Sequence, residues 1–154
     1  MIGSARGVII PLCAAAVVCL LASCSSAPSQ PVLSRAEITG TWTSPADGSF
    51  TFFADHSFSA RALNLSAFYG KGCSGISGTG TWDFLSPQGT GGPGPPFYSR
   101  GKLLSLFFAT PVASGCGAGA LEVTSWSTSP GVNGLCMSFD PDSPCTGQVF
   151  TKDR

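Results

Sequence analysis

Charge is scarce in this sequence. Of 154 residues, eight are Lys or Arg, eight are Asp or Glu, and one is His. The balance is zero and no two cationic residues are adjacent, so the dense row of Lys and Arg that nucleic-acid phosphates require is missing and nucleic acid is excluded as a partner. A single histidine and no CxxC pair leave nothing from which to build a zinc centre. His56 stands beside Asp55, but no Gly-x-Ser-x-Gly elbow accompanies them, and neighbours in a tight turn point apart. The pair therefore reads as turn chemistry. Asp140-Pro141-Asp142-Ser143 lacks the oxygen count and spacing of a calcium loop and reads as an Asx-type turn. No catalytic constellation, metal or cofactor is expected. Helical periodicity is missing too: no stretch sustains an apolar period of 3.6 residues.

One long apolar run is present, at the amino terminus. Val8 to Leu21, "VIIPLCAAAVVCLL", has the length of a signal-peptide core and falls short of the roughly 20 residues that span a bilayer. It ends in Leu21-Ala22-Ser23-Cys24 and passes at once into "SSAPSQPVLS". Those four residues resemble the lipobox of bacterial lipoproteins. The resemblance implies that the Cys24 thiol is alkylated with diacylglycerol and that the chain is cut before it. Residues 1–23 are then a signal peptide, 24–34 a Ser/Pro-rich extended tether, and 35–154 the folded domain. Two acyl chains on one residue meet the two-signal requirement for durable anchoring. The expected location is the extracytoplasmic face of a bacterial cell membrane.

Seven cysteines then divide by fate. Cys13 and Cys19 leave with the signal and Cys24 is acylated, so Cys73, Cys116, Cys136 and Cys145 remain, an even set for an oxidising compartment. Three pairings are arithmetically open. The short "CMSFDPDSPC" loop favours Cys136 with Cys145, which leaves Cys73 with Cys116.

Along the folded segment, alternation of period two recurs between Gly- and Pro-rich breaks, from a composition of 20 Gly and 12 Pro. Strands are predicted over 37–44, 48–54, 57–63, 76–85, 102–110, 120–128, 135–140 and 147–152, with a turn at Asp55-His56. The Pro/Gly-rich stretch 86–101 is excluded from any strand interior, because proline removes ladder donors. Eight short strands with turn-length connections indicate an all-β, antiparallel up-and-down barrel, since closure leaves no edge to aggregate. A Gly-Thr-Trp unit occurs at 40–42 and again at 80–82, where Gly is expected to let neighbouring backbone approach a bulky Trp.

Gly40-Thr41-Trp42 in a first strand resembles the lipocalin-type barrels and their avidin-like relatives. That likeness implies that Trp42 closes the barrel floor under a cation near the last strand, Lys152 or Arg154. Biotin binding is not carried over, because Ser44 stands where the avidin pattern has an amide and the later tryptophan pairs are missing. A broader resemblance is to small actinobacterial lipoproteins that run from a lipobox through "GTW" and a "TF-x-AD-x-(T/S)F" hairpin to a "DPD" turn and a final "F-T-(R/K)" strand. Here these are Gly40 to Trp42, Thr51 to Phe58, Asp140 to Asp142 and Phe150 to Lys152. The likeness implies a fold and a location and carries no activity with it.

Candidate binding residues are the aromatics placed on strands: Trp42, Phe50, Phe52, Trp82, Phe107 and Trp126. Eight strands enclose room either for these side chains or for one small ligand, so two functions stand open. One is a non-catalytic module that holds a small apolar molecule in the barrel mouth. The other is a structural or protein-interaction lipoprotein with a filled barrel and recognition through its loops, for which Phe97, Tyr98 and Arg100 are exposed candidates. Asp83 and Glu122 form an acid/base pair only if they face one cleft; as solvent-facing strand residues they do nothing of the kind.

Overall fold

In the computed structural model the described residues are 30–85, 98–109, 116, 119–129, 132–137, 145 and 147–154. The signal segment, Cys24, Phe97 and the Asp140–Ser143 turn lie outside them.

A two-residue strand, β1 (Leu33–Ser34), leads into a helical turn, α1 (Arg35–Ile38), and then into β2 (Gly40–Ser44), β3 (Gly48–Phe52) and β4 (Ser57–Leu63). A second turn, α2 (Ser66–Tyr69), precedes β5 (Ile76–Phe84). The short β6 (Arg100–Gly101) is followed by β7 (Leu103–Phe108), β8 (Ala120–Ser129), β9 (Val132–Met137) and β10 (Gln148–Lys152). The strands close in the order β10-β2-β3-β4-β5-β7-β8-β9, every pair antiparallel, while β1 pairs with β6 beside the barrel. The expected all-β barrel of eight meandering strands is therefore the fold. Both disulfides form as expected, Cys73–Cys116 and Cys136–Cys145.

Alternation decides which side chains enter the barrel. Phe50 and Phe52 on β3, Phe58 and Ala60 on β4, Trp82 and Phe84 on β5, and Leu104 and Leu106 on β7 are all buried. The ladder sets them opposite one another: Trp42 faces Phe50, Phe52 faces Phe58, Trp82 faces Leu106, Leu106 faces Leu121, and Leu135 faces Phe150. Burial of each such side chain stabilises by about 1.5–3 kcal/mol before the ordering cost.

The amino-terminal boundary differs from the expectation. The strand predicted over 37–44 begins only at Gly40, because Ser34 and Glu37 form a capping box that starts α1. The Ser34 amide donates to a Glu37 carboxylate oxygen at 2.7 Å. These bonds to the ionised form hold Glu37 below the usual carboxylate range. Leu33 and Ser34, expected in the tether, belong to the barrel: Leu33 is 1% exposed and part of the core. A hydrophobic residue placed just ahead of an N-cap has apolar surface to cover, and the barrel end offers it.

Both Gly-Thr-Trp units have a steric reason. Gly40 sits at φ 124°, a region that L side chains rarely adopt. Gly80 lies where a Cβ would come within 2.0 Å of the Phe107 carbonyl oxygen and 2.7 Å of the Phe58 ring. The absent side chains on β5 leave space that Phe58 and Phe108 fill, their rings edge-on with centroids 5.1 Å apart.

Two expectations about stability follow from this packing. Gly80→Ala should lower the urea unfolding free energy by about 3 kcal/mol, the upper range for overpacking. Gly119→Ala, which meets nothing within 4 Å, should stay within about 0.5 kcal/mol of the parent; equal midpoints for the two variants would refute the close approach at Gly80. Reduction should cost more at the longer loop: Cys73→Ser/Cys116→Ser opens a separation of 43 residues and Cys136→Ser/Cys145→Ser one of 9. Chain entropy gives about 4 and about 2.6 kcal/mol respectively, and chemical unfolding of the two double variants checks the order.

Candidate functional site

The antiparallel meander gives the barrel two unlike ends. At the entry end the amino-terminal segment arrives, the β3–β4 turn sits, and β10 finishes. At the disulfide end lie the β2–β3 turn, α2, and the Cys73–Cys116 bridge.

Trp42 closes the entry end. Its indole Nε1 donates to the Ile38 carbonyl at 2.7 Å, which fixes α1 across the barrel mouth. Lys152, opposite Trp42 in the β2–β10 register, places Nζ 5.8 Å from the ring centroid and donates to the Glu37 carbonyl at 2.7 Å. Of the two cations that the lipocalin likeness offered for this position, Lys152 takes it. Next to this assembly is a pocket of about 290 Å³ lined by Leu33, Glu37, Trp42, Asn133, Lys152 and Arg154 among others.

Trp82 reaches the same end from β5. Its indole Nε1 donates to the Phe53 carbonyl at 3.1 Å, and His56 stacks on it with ring centroids 4.9 Å apart. His56 occupies the left-handed region at φ 65°, and its Nδ1 donates to the Trp82 carbonyl at 3.1 Å. Asp55 turns the other way: its carboxylate accepts from the Ser57 amide at 2.9 Å and from the Ser57 hydroxyl. Those bonds hold the Asp55 carboxyl below its usual range. The two residues are neighbours in a turn whose side chains take different hydrogen-bond partners.

The six aromatic candidates separate. Phe50, Phe52, Trp82 and Trp42 are at most 1% exposed inside the barrel. Their rings touch one another and the remaining core. Centroids are 5.7 Å apart for Phe50–Phe52, 5.7 Å for Phe52–Trp82 and 5.0 Å for Phe50–Phe150. Phe107 does not join them; it is 52% exposed, because it lies between the inward Leu106 and the core-packed Phe108 on an alternating strand. Trp126 likewise shares the outward parity of Glu122 and is half-buried, opposite Gly134. Asp83 and Glu122 both stand opposite Ser105, one on each side of β7. Two strand spacings, roughly 10 Å, separate them on the outer wall. Tyr98 packs against the core, whereas Arg100 is exposed. Among the described residues no three His, Cys, Asp or Glu side chains gather as a metal site would need.

An aromatic pair that sequence patterning missed lies on the outer face. Tyr69, 40% exposed at the end of α2, donates its hydroxyl to the Ala120 carbonyl at 2.9 Å, and Ala120 is the cross-strand neighbour of the exposed Phe107. Only tertiary contact brings α2 over β8, so no local signal marks the pair. No family model, curated protein or solved structure matches the chain.

Partial burial, and then the Glu122 carboxylate, raise the Tyr69 phenol above its ordinary value. The neutral phenol is the favoured form in the fold, so the stability it contributes is present below about pH 10 and fades above it. An absorbance titration should show Tyr69 ionising later than a free tyrosine, and Glu122→Gln should bring it part of the way back. Superimposable curves for the two proteins would show that the carboxylate does not reach the ring.

Proposed function

We propose that this chain is an extracytoplasmic bacterial lipoprotein, anchored through diacylglyceryl Cys24, that acts by recognition rather than catalysis. In this reading the barrel is filled and binding takes place on its outer surface. The observation that carries it is the mutual contact of the interior rings: Phe50, Phe52, Phe58, Trp82 and Phe150 pack against each other at centroid distances of 5.0–6.3 Å, each at most 1% exposed. Side chains that satisfy one another in this way leave no lining for a guest. Tyr69 and Phe107, both exposed and both next to Ala120, offer aromatic surface to a protein partner. The lipobox resemblance at Leu21 to Cys24 supports the anchoring and the location.

A small apolar ligand in the barrel mouth is the second reading. A pocket of about 290 Å³ beside Trp42 has the volume for a small guest, although of its lining only Leu33 and Trp42 are apolar.

Two measurements test the proposal. Intact-mass analysis of the protein purified from membranes should find a chain that begins at Cys24 and carries a diacylglyceryl adduct; an unmodified Cys24 would remove the anchor. Titration with an apolar dye should leave tryptophan emission without a saturable change. Saturable quenching that a Trp42→Phe variant abolishes would transfer the function to the mouth pocket.

A further inference from the structure

We infer that the entry end of the barrel is a docking face for an anionic lipid surface, so that the anchored protein stands on the membrane with Trp42 and Lys152 toward the headgroups. The inference rests on the acylation of Cys24 proposed above.

Three independent features meet at this end. The first is reach. The Pro31 carbonyl accepts a hydrogen bond from the Ser125 hydroxyl, Leu33 enters the core and Ser34 caps α1, so the chain is already fixed to the barrel a few residues after Cys24. Five residues separate Cys24 from Gln30, a span of about 20 Å at full extension. The disulfide end lies a strand length further, about 30 Å for a strand of β5's length. The lipid therefore holds the entry end close and leaves the disulfide end remote.

The second feature is charge. Seven Lys and Arg side chains are described, and five of them, Arg35, Arg100, Lys102, Lys152 and Arg154, are at this end. Arg61 and Lys71 are the two on the other half. Arg100, Lys102, Lys152 and Arg154 are exposed. Three carboxylates share the end: Glu37, Asp55 and Asp153, with Asp83 one residue inside it on the wall. Each of the first three accepts hydrogen bonds from neutral donors and keeps its charge, Glu37 from Ser34, Asp55 from Ser57 and Asp153 from the Thr43 hydroxyl, and Arg100 and Lys152 also act on Glu37. Five cationic side chains against these four carboxylates leave a surplus of one, which anionic headgroups complement.

The third feature is apolar. Val32 is 47% exposed and Phe53 is 45% exposed, and both belong to the entry end, one in the arriving segment and one at the β3–β4 turn. Exposed Lys and Arg at the same end as an exposed aromatic and an exposed aliphatic side chain suit the boundary between headgroups and acyl chains, where each finds its own medium. Among the described residues the other exposed large apolar side chains, Tyr69 and Phe107, are clear of the bilayer in this orientation and accessible to a partner.

The chain's three lysines provide the test, since Lys71 marks the disulfide end and Lys102 and Lys152 the entry end. The acylated protein is reconstituted into vesicles of phosphatidylcholine alone or with phosphatidylglycerol, then treated with an amine-reactive reagent and read by peptide mass spectrometry. Lys102 should react at least three-fold more slowly on the anionic vesicles, while Lys71 reacts at one rate on both. High salt should abolish the protection by screening, and so should Arg100→Glu combined with Arg154→Glu, two exposed positions. Equal Lys102 rates on the two lipids, or protection of Lys71 instead, would overturn the docking face. Flotation with pure phosphatidylcholine reports the anchor alone: a protein that floats but shows no Lys102 protection refutes the face and leaves the anchor standing. A protein that does not float refutes the anchor and the orientation with it.

Discussion

Closing eight strands into a ring fixes the volume inside them, and that volume is spoken for by side chains on every second residue. The inward positions of β3, β4, β5 and β10 carry large aromatics, and the rings meet edge to face or offset, the arrangements their quadrupoles favour. A barrel filled this way gains its stability from contacts that a ligand would have to displace. Residues of the other parity are left on the wall or at the ends. Phe107 shows the constraint at a single position: an aromatic as bulky as its neighbours lies outside because of its parity alone.

Much of this was legible in the sequence, because period two is a physical rule of the pleated chain. The eight strands, their order as a meander, and the inward set Trp42, Phe50, Phe52 and Trp82 follow from alternation and turn residues. The pairing of four cysteines followed from loop length. What the sequence concealed has two causes. The strand predicted over 37–44 gave way to α1 because a four-residue capping box outweighs alternation when Ser and Glu stand three apart. In the "LLSLFF" run both faces are apolar, so composition could not tell which Phe enters the core, and Phe107 was assigned to the wrong side. The Tyr69–Phe107 pair and the folding-in of Leu33 depend on contacts between segments distant in the chain, and no local pattern encodes them.

The lone histidine shows how a chemically suggestive pair dissolves in context. Asp55 and His56 are adjacent in sequence, yet one side chain caps its own turn in solvent and the other stacks on Trp82 at 7% exposure. Asp83 and Glu122 fare similarly, held apart by the strand between them.

The seam between β10 and β2 sets a condition on timing. Every other seam of the ring joins strands that follow one another around the meander, whereas this one sets Lys152 against Trp42, the last strand against the first. A polypeptide delivered amino-terminus first cannot seal its cylinder until the final residues arrive. Until then β2 is an unzipped edge and Trp42 lacks its cation. The ring is sealed only once β10 has paired with β2.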